Sequence, residues 1–223
     1  MSKILVLCSG GMDSTILLYK AVKENGADNV YALNMYYGQR HAKEAECFDW
    51  QVNHLGIMNH RTLDVKQIFD SDVNCTLFER NGKVPHGTYA EQKGKVSTYV
   101  PFRNGLFLAI AASLAEQYGY EEIWYGAHQD DIAGDAYPDC SQAFIRCMNA
   151  AIFNGTVANI EMKAPWSSFN KVDIARYAKQ IGITQEEIEH TWSCYEGGDE
   201  PCGKCATCID RAHALSDAGY KNC

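Results

Sequence analysis

The chain has 223 residues, 46% of them hydrophobic and 22% charged, with a formal net charge of −8. This length and apolar content fit one globular domain with a small appendage, and every apolar run falls well short of the ~18–20 residues that span a bilayer. An acidic balance favours a small-molecule substrate over a polynucleotide, which calls for a basic face. The 10 cysteines, in a chain whose first apolar run reads as a strand and not as a signal peptide, point to metal ligands or buried thiols in a cytoplasmic protein.

In chain order, strand-like and helix-like segments alternate. "KILVLCS" (3–9) is a short apolar run closed by glycines, and residues 13–25 then carry apolar positions at helical spacing up to Gly26. Strands follow at 30–38, 60–65, 121–128 and 159–166. Helices are expected at 40–56, 105–119, 141–155 and 170–182. Alternation of this kind predicts an α/β fold, a parallel sheet covered on both faces. Residues 68–97 are polar, dotted with glycine and without a period, which suits an insertion or lid beside a site. Residues 191–223 are rich in cysteine and glycine and short of strands. The expected division is a catalytic unit over 1–190 and, over 191–223, a metal-stapled appendage with the chain's last helix.

The turn "CSGGMDST" (8–15) joins the first strand to the first helix, where open parallel sheets bind ligands. The helix N-terminus offers unpaired N–H groups and partial positive charge, and Gly10 and Gly11 allow close approach of phosphate oxygens. Ser9, Ser14 and Thr15 add hydroxyls; the competing reading is a helix cap at Asp13 or Ser14. Neither G-x-x-x-x-G-K-[ST] nor G-x-G-x-x-G is matched, so a P-loop NTPase and a dinucleotide enzyme are both disfavoured.

The tail carries Cys194, Cys202, Cys205 and Cys208, a C-x7-C-x2-C-x2-C pattern suited to tetrahedral thiolate ligation. An iron–sulfur cluster is the rival reading, but ferredoxin runs place proline after their last cysteine, whereas Pro201 precedes the second one here. Zinc in a closed, structural site is the expectation. Cys8 and Cys223 are not needed for it.

"SGGMDS" (9–14) resembles the signature of the PP-loop ATP pyrophosphatases. "YYGQRH" (36–41), "STYVPFRNGLFL" (97–108), "GAHQDD" (126–131), "AYPDCSQAF" (136–144) and "TWSCYEGGDEPCGKCATCIDR" (191–211) together resemble the 7-cyano-7-deazaguanine synthase family of queuosine biosynthesis. The likeness runs from residue 3 to about 215. It departs at Ala136, where many members have glycine.

The resemblance implies a Rossmann-like, adenine nucleotide alpha hydrolase-like fold and a homodimer. It also implies an ATP-dependent ligase that joins ammonia to 7-carboxy-7-deazaguanine through adenylated acid and amide intermediates. A loop that releases pyrophosphate intact has no need of the lysine that stabilises a phosphoryl group in transfer. The implied ATP set is Cys8, Ser9, Gly10, Gly11, Met12, Asp13, Ser14 and Thr15, with Mg²⁺ at Asp13.

Tyr37, Gln39, Arg40 and His41 follow the second strand, and Arg40 or His41 would meet phosphate or the charge developing at phosphorus. Arg103, beside Asn104, is suited to a carboxylate. Asp130 and Asp131 suggest a metal or a base edge. Tyr37, Gln39, Arg103, Asn104, Tyr137 and Asp139 would face the substrate, Asp139 reading its guanine-like N–H groups unless it merely caps the helix that follows. His128 is a candidate base, and Cys140 reads as a buried thiol. The catalytic set is Asp13, Arg40, Arg103 and Asp131. A tRNA-thiolating PP-loop enzyme is the alternative, along with a zinc-stapled nucleotide-binding module that lacks catalysis.

Overall fold

The computed structural model describes residues 1–40, 43–69, 75–78, 82–88, 97–131 and 137–221. His41, Ala136, Cys223 and much of the expected 68–97 insertion lie outside the described residues.

All five strands expected from the sequence form: β1 (Ile4–Leu7), β2 (Val30–Tyr36), β3 (Asn59–Asp64), β4 (Glu122–Trp124) and β5 (Glu161–Lys163). They make one sheet in the order β3-β2-β1-β4-β5, every pair parallel. The helices are α1 (Met12–Asn25), α2 (Lys43–His54), α3 (Arg103–Tyr118), α4 (Gln142–Gly155), α5 (Lys171–Ile181), α6 (Gln185–Glu189) and α7 (Ala206–Asp217). The short α6 has no counterpart in the sequence reading.

The central strands are buried on both sides, which is why they read as apolar runs with no alternation. Ile4 and Val6 of β1 join one core with Ile16 and Leu17 of α1, Ile174 of α5 and Leu215 of α7. Leu5 joins the other with Leu108 of α3, Ile123 of β4 and Ile152 of α4. β4 and β5 are shorter than expected because the chain leaves the sheet early. Tyr125–His128 turns out over the strand ends, and Trp166, 1% exposed, turns into the first core.

The strand order reverses between β1 and β4. Ligands of open α/β sheets bind outside the strand ends at such a switch point.

Candidate functional site: a two-lobed cleft at the switch point

The cleft lies over the C-terminal ends of β1, β2 and β4 and is lined on one side by the turn into α1. Gly10 has φ 93°, and a methyl group there would stand 2.0 Å from the Glu44 carbonyl oxygen and 2.8 Å from the Phe48 nitrogen, so only glycine fits. Gly11 precedes α1, and no side chain caps that helix. The hydroxyls hold the turn in place: the Ser9 N–H donates to Ser14 Oγ (3.2 Å), and the Gly11 N–H donates to Ser9 Oγ (3.1 Å). The Trp192 N–H donates to the Gly10 carbonyl at 3.0 Å and ties the cysteine-rich tail to the same turn.

Beyond the turn lies a compact cluster of charges. Asp13 Oδ2 stands 3.5 Å from Lys171 Nζ and 3.5 Å from His128 Nε2, which is in turn 3.5 Å from Asp131 Oδ1. Burial by itself would raise the Asp13 carboxyl; Lys171 and His128 outweigh it and hold Asp13 well below the ordinary carboxylate range. Burial likewise opposes charge on His128, yet Asp131 and Asp13 raise its pKa above the ordinary value. Lys171, its side chain 12% exposed, is likewise held charged by Asp13, Asp131 and Asp210 against the cost of desolvation. It occupies the first position of α5 because Asn170 and Asp173 form a reciprocal capping box around that helix start. The cleft therefore has a lysine, supplied from another helix. Asp13 Oδ1 is buried and has no partner, a vacant hard oxygen of the kind a Mg²⁺–nucleotide takes.

The other lobe lies at the N-terminus of α3. Arg103 Nη1 donates to the Tyr37 hydroxyl at 3.1 Å, with the guanidinium 5.4 Å from the Tyr37 ring centre. Burial opposes that charge, but Tyr37, Tyr195 and Asp139 keep Arg103 ionised beyond its usual range. Asp139 caps not the helix that follows it but α3: its Oδ2 accepts from the Asn104 N–H at 2.9 Å, while Ser141 caps α4. The Asn104 amide donates to Cys140 Sγ at 3.2 Å, and burial pushes that thiol far above the range of a nucleophile. The Tyr137 hydroxyl pairs with Thr98 Oγ1 at 2.7 Å.

Cys8, Ser9, Gly11, Met12, Asp13, Ser14, Tyr37, Arg103, Asn104, Asp131 and Tyr137 thus meet in one cleft. Five of the expected residues do not line it. Gly10 backs the turn against α2, and Thr15 is buried with its hydroxyl unpartnered. Gln39 is buried and accepts from the Tyr37 N–H at 2.9 Å. Arg40 turns away to donate to the carbonyls of Phe78 (3.0 Å) and Gly82 (2.6 Å), fastening the insertion. Asp139 is buried beside Cys140 of the lining. Burial raises the Cys8 thiol to about 11, so it is not a nucleophile.

The sequence reading missed Glu44, Lys171, Trp192 and Asp210, all of which line the cleft. The Asn170–Asp173 spacing was the one local signal for Lys171.

The sulfur atoms of Cys194, Cys202, Cys205 and Cys208 all lie within 4.8 Å of one another, the one such cluster among the described residues. A tetrahedral ion with metal–sulfur bonds of ~2.3 Å spaces its sulfurs ~3.8 Å apart; those of Cys202 and Cys208 are 3.9 Å apart. The N–H groups of Cys202 and Cys205 donate to the sulfurs of Cys194 and Cys202 at 3.3 Å, as thiolates require. The cluster can hold one metal ion. The insertion docks on it: His86 bridges Cys205, and Val84 packs against Cys194 and Trp192.

Comparison with known proteins follows the same lines. The family model described as queuosine biosynthesis protein QueC matches residues 3–219. A 7-cyano-7-deazaguanine synthase of Porphyromonas gingivalis is 42% identical over 219 residues, covering 96% of this chain and 93% of the relative. One of Archaeoglobus fulgidus is 36% identical over 221 residues, covering 99% and 88%. Among solved structures, a 4-thiouridine synthetase in complex with RNA and bound ATP superposes with TM-score 0.52 at 17% identity, covering 97% of this chain and 51% of that one. At that identity the likeness concerns the fold alone.

Proposed function

This chain belongs to the family of the queuosine biosynthesis protein QueC, and from that premise we propose that its cleft makes 7-cyano-7-deazaguanine, the product named in its relatives. The reaction joins 7-carboxy-7-deazaguanine to ammonia at the expense of ATP. A carboxylate is a poor electrophile because its oxygen leaves as oxide or hydroxide. Transfer of an adenylyl group to that oxygen releases pyrophosphate and makes AMP the leaving group. Ammonia then displaces AMP and leaves the primary amide. A second adenylylation, now on the amide oxygen, allows loss of AMP and gives the nitrile. Each round consumes one ATP and forms AMP and pyrophosphate.

The observation that carries this reading is the uncapped start of α1, whose N–H groups face the same cleft as Arg103. In a turn that Ser9 and Ser14 fix, the first three N–H groups of α1 hold the departing pyrophosphate. Lys171 offsets its charge. Asp13 and Asp131 would hold the Mg²⁺ carried with ATP, which would supply further charge neutralisation. Arg103 holds the substrate carboxylate in line with the α-phosphorus. His128, between Asp13 and Asp131, is the base nearest to receive a proton from incoming ammonium. The four cysteines would hold zinc as a closed, structural site; the support for zinc is that their sulfurs lie within 4.8 Å of one another, whereas a cubane cluster needs thiolates further apart. Trp192, Ser193 and Tyr195 of the tail line the cleft, so the appendage over 191–223 completes the site built by 1–190. We read the protein as a cytoplasmic homodimer that uses free ammonium and no polynucleotide. Among the described residues no helix is long and apolar enough to cross a membrane.

Incubation with the carboxy-deazaguanine, ATP and ammonium, followed by mass spectrometry, tests the reading. A nitrile with two AMP per product is expected. ATP left unconsumed would favour a binding module, and ADP would overturn the adenylylation chemistry.

A further inference from the structure

Folded proteins leave very few buried polar atoms without partners. Two such atoms belong to the α3 lobe, the Tyr125 hydroxyl and Asp139 Oδ1. Both residues are 4% exposed. Tyr125 follows β4 and shares the second core with Cys140 and Leu108. Tyr125 and Cys140 both line the cleft, and Asp139 directly precedes Cys140 in the chain, so the two orphan groups flank the same wall of the α3 lobe. Asp139 spends Oδ2 on the Asn104 N–H and keeps Oδ1.

The two groups differ in kind. A neutral phenol donates one hydrogen bond; an ionised carboxylate only accepts. A guanine-like ring edge presents the complement: a carbonyl oxygen that accepts, beside an N1–H and a 2-amino group that donate. An adenine edge presents an amino donor where guanine has the carbonyl, and a bare ring nitrogen where guanine has N1–H. We propose that Tyr125 and Asp139 form the base-reading subsite for the deazaguanine. Tyr125 donates to the C6 carbonyl oxygen, and Asp139 Oδ1 accepts from N1–H and the 2-amino group. The assignment rests on the proposed reaction and adds to it a specificity device. The cleft must hold two purine-like rings, and this pair accepts one and leaves the adenine of ATP without a match. Arg103, on the same lobe, remains for the carboxylate.

The test is calorimetric titration of the metal-loaded protein with 7-carboxy-7-deazaguanine, with its analogue lacking the 2-amino group, and with ATP. Tyr125→Phe is expected to weaken acid binding by ~10–100-fold and leave ATP binding unchanged. Because the hydroxyl has no partner in the fold, the melting temperature should not fall; a structural hydroxyl would lower it. Asp139→Asn keeps an oxygen for the Asn104 N–H, and its preference for the 2-amino compound over the analogue should collapse to within ~3-fold of parity. Tyr125→Phe binding the acid as the wild type does, or Asp139→Asn retaining the wild-type preference, overturns the assignment and leaves the reaction standing. A wild type that binds ATP but not the acid overturns both.

Discussion

Two helices begin in the same cleft, and they treat their first N–H groups in opposite ways. α1 starts after two glycines and has no side-chain cap, and the nearby hydroxyls bond to the turn itself. α3 starts after Phe102, a non-glycine residue at φ 52°, and its Asn104 N–H is taken by Asp139 from a segment 35 residues away in sequence. An uncapped helix start remains available to an incoming anion; a capped one does not. An anion entering the α3 lobe would have to be met by a side chain, and Arg103 lines the cleft there. One cleft thus pairs a backbone cradle, suited to a diffuse polyphosphate, with a forked guanidinium, suited to a planar carboxylate.

The four-cysteine cluster, which can hold one metal ion, offers the largest test of this contrast. Trp192 ties the tail to Gly10, whereas none of the bonds named at the α3 start comes from the four-cysteine segment. Verified metal removal should lower the melting temperature by about 10 °C, since metal binding at such sites is coupled to folding and each kcal/mol is worth roughly 2–4 °C at this size. Hydrogen exchange should then show Gly10–Ser14 losing protection well before Arg103–Phe107. Equal losses at both helix starts would erase the distinction, and an unchanged melting temperature would refute the structural role.

Gly10→Ala and Gly105→Ala set the two starts against each other directly. At Gly10 the added methyl meets backbone, 2.0 Å from the Glu44 carbonyl, at positive φ. A loss of about 3–5 kcal/mol in denaturant titration is expected. At Gly105 it meets the Phe102 ring at 2.4 Å. That ring is 58% exposed and can swing aside, and alanine gains about 1 kcal/mol over glycine inside a helix, so the net change should stay within about 1 kcal/mol. A severe loss at Gly105 would show that Phe102 is fixed by more than its contact with the ring-facing glycine. Between these lies a functional test: Asp13→Asn should keep the fold but lower kcat by about 100-fold, because it removes the carboxylate from the phosphate lobe. Wild-type turnover would count against any metal or charge role for Asp13.

The α1 start was legible in the sequence and the α3 start was not, for a physical reason. The glycines, hydroxyls and carboxylate of the first turn are contiguous, and each makes its contribution within a few residues. The four-cysteine cluster was legible in the same way, from the spacing of Cys194, Cys202, Cys205 and Cys208. At α3 the partners are far apart in the chain: Tyr37 after β2, Asp139 before α4, Tyr125 after β4. Asp139 has the local signature of a cap for α4, yet Ser141 fills that position and Asp139 caps a different helix. Lys171 was invisible as a cleft residue because only the return of α5 to the sheet end brings it to Asp13. Arg40 shows the converse, a residue in a suggestive motif whose side chain is committed to the carbonyls of the insertion.

The smallest expected effect separates capping from charge at α3. Burial outweighs the help of the Asn104 N–H and Arg103, and the Asp139 carboxyl is raised above its ordinary value of 3.8. A carboxyl raised in the folded state binds its proton more tightly there than in the unfolded chain. Its ionisation therefore destabilises the fold, and the penalty is fully present once the pH exceeds the folded-state value. Asp139→Asn, which can still cap Asn104, should be as stable as the wild type or more stable by up to about 1 kcal/mol at neutral pH. The advantage should shrink as the pH falls toward 3.8, where the wild-type carboxyl takes up its proton in both states. Denaturant midpoints of the two proteins at neutral and acidic pH decide it. A variant markedly less stable at neutral pH would mean that the charge itself holds α3, and that Arg103 and the helix start together stabilise it beyond the cost of burial.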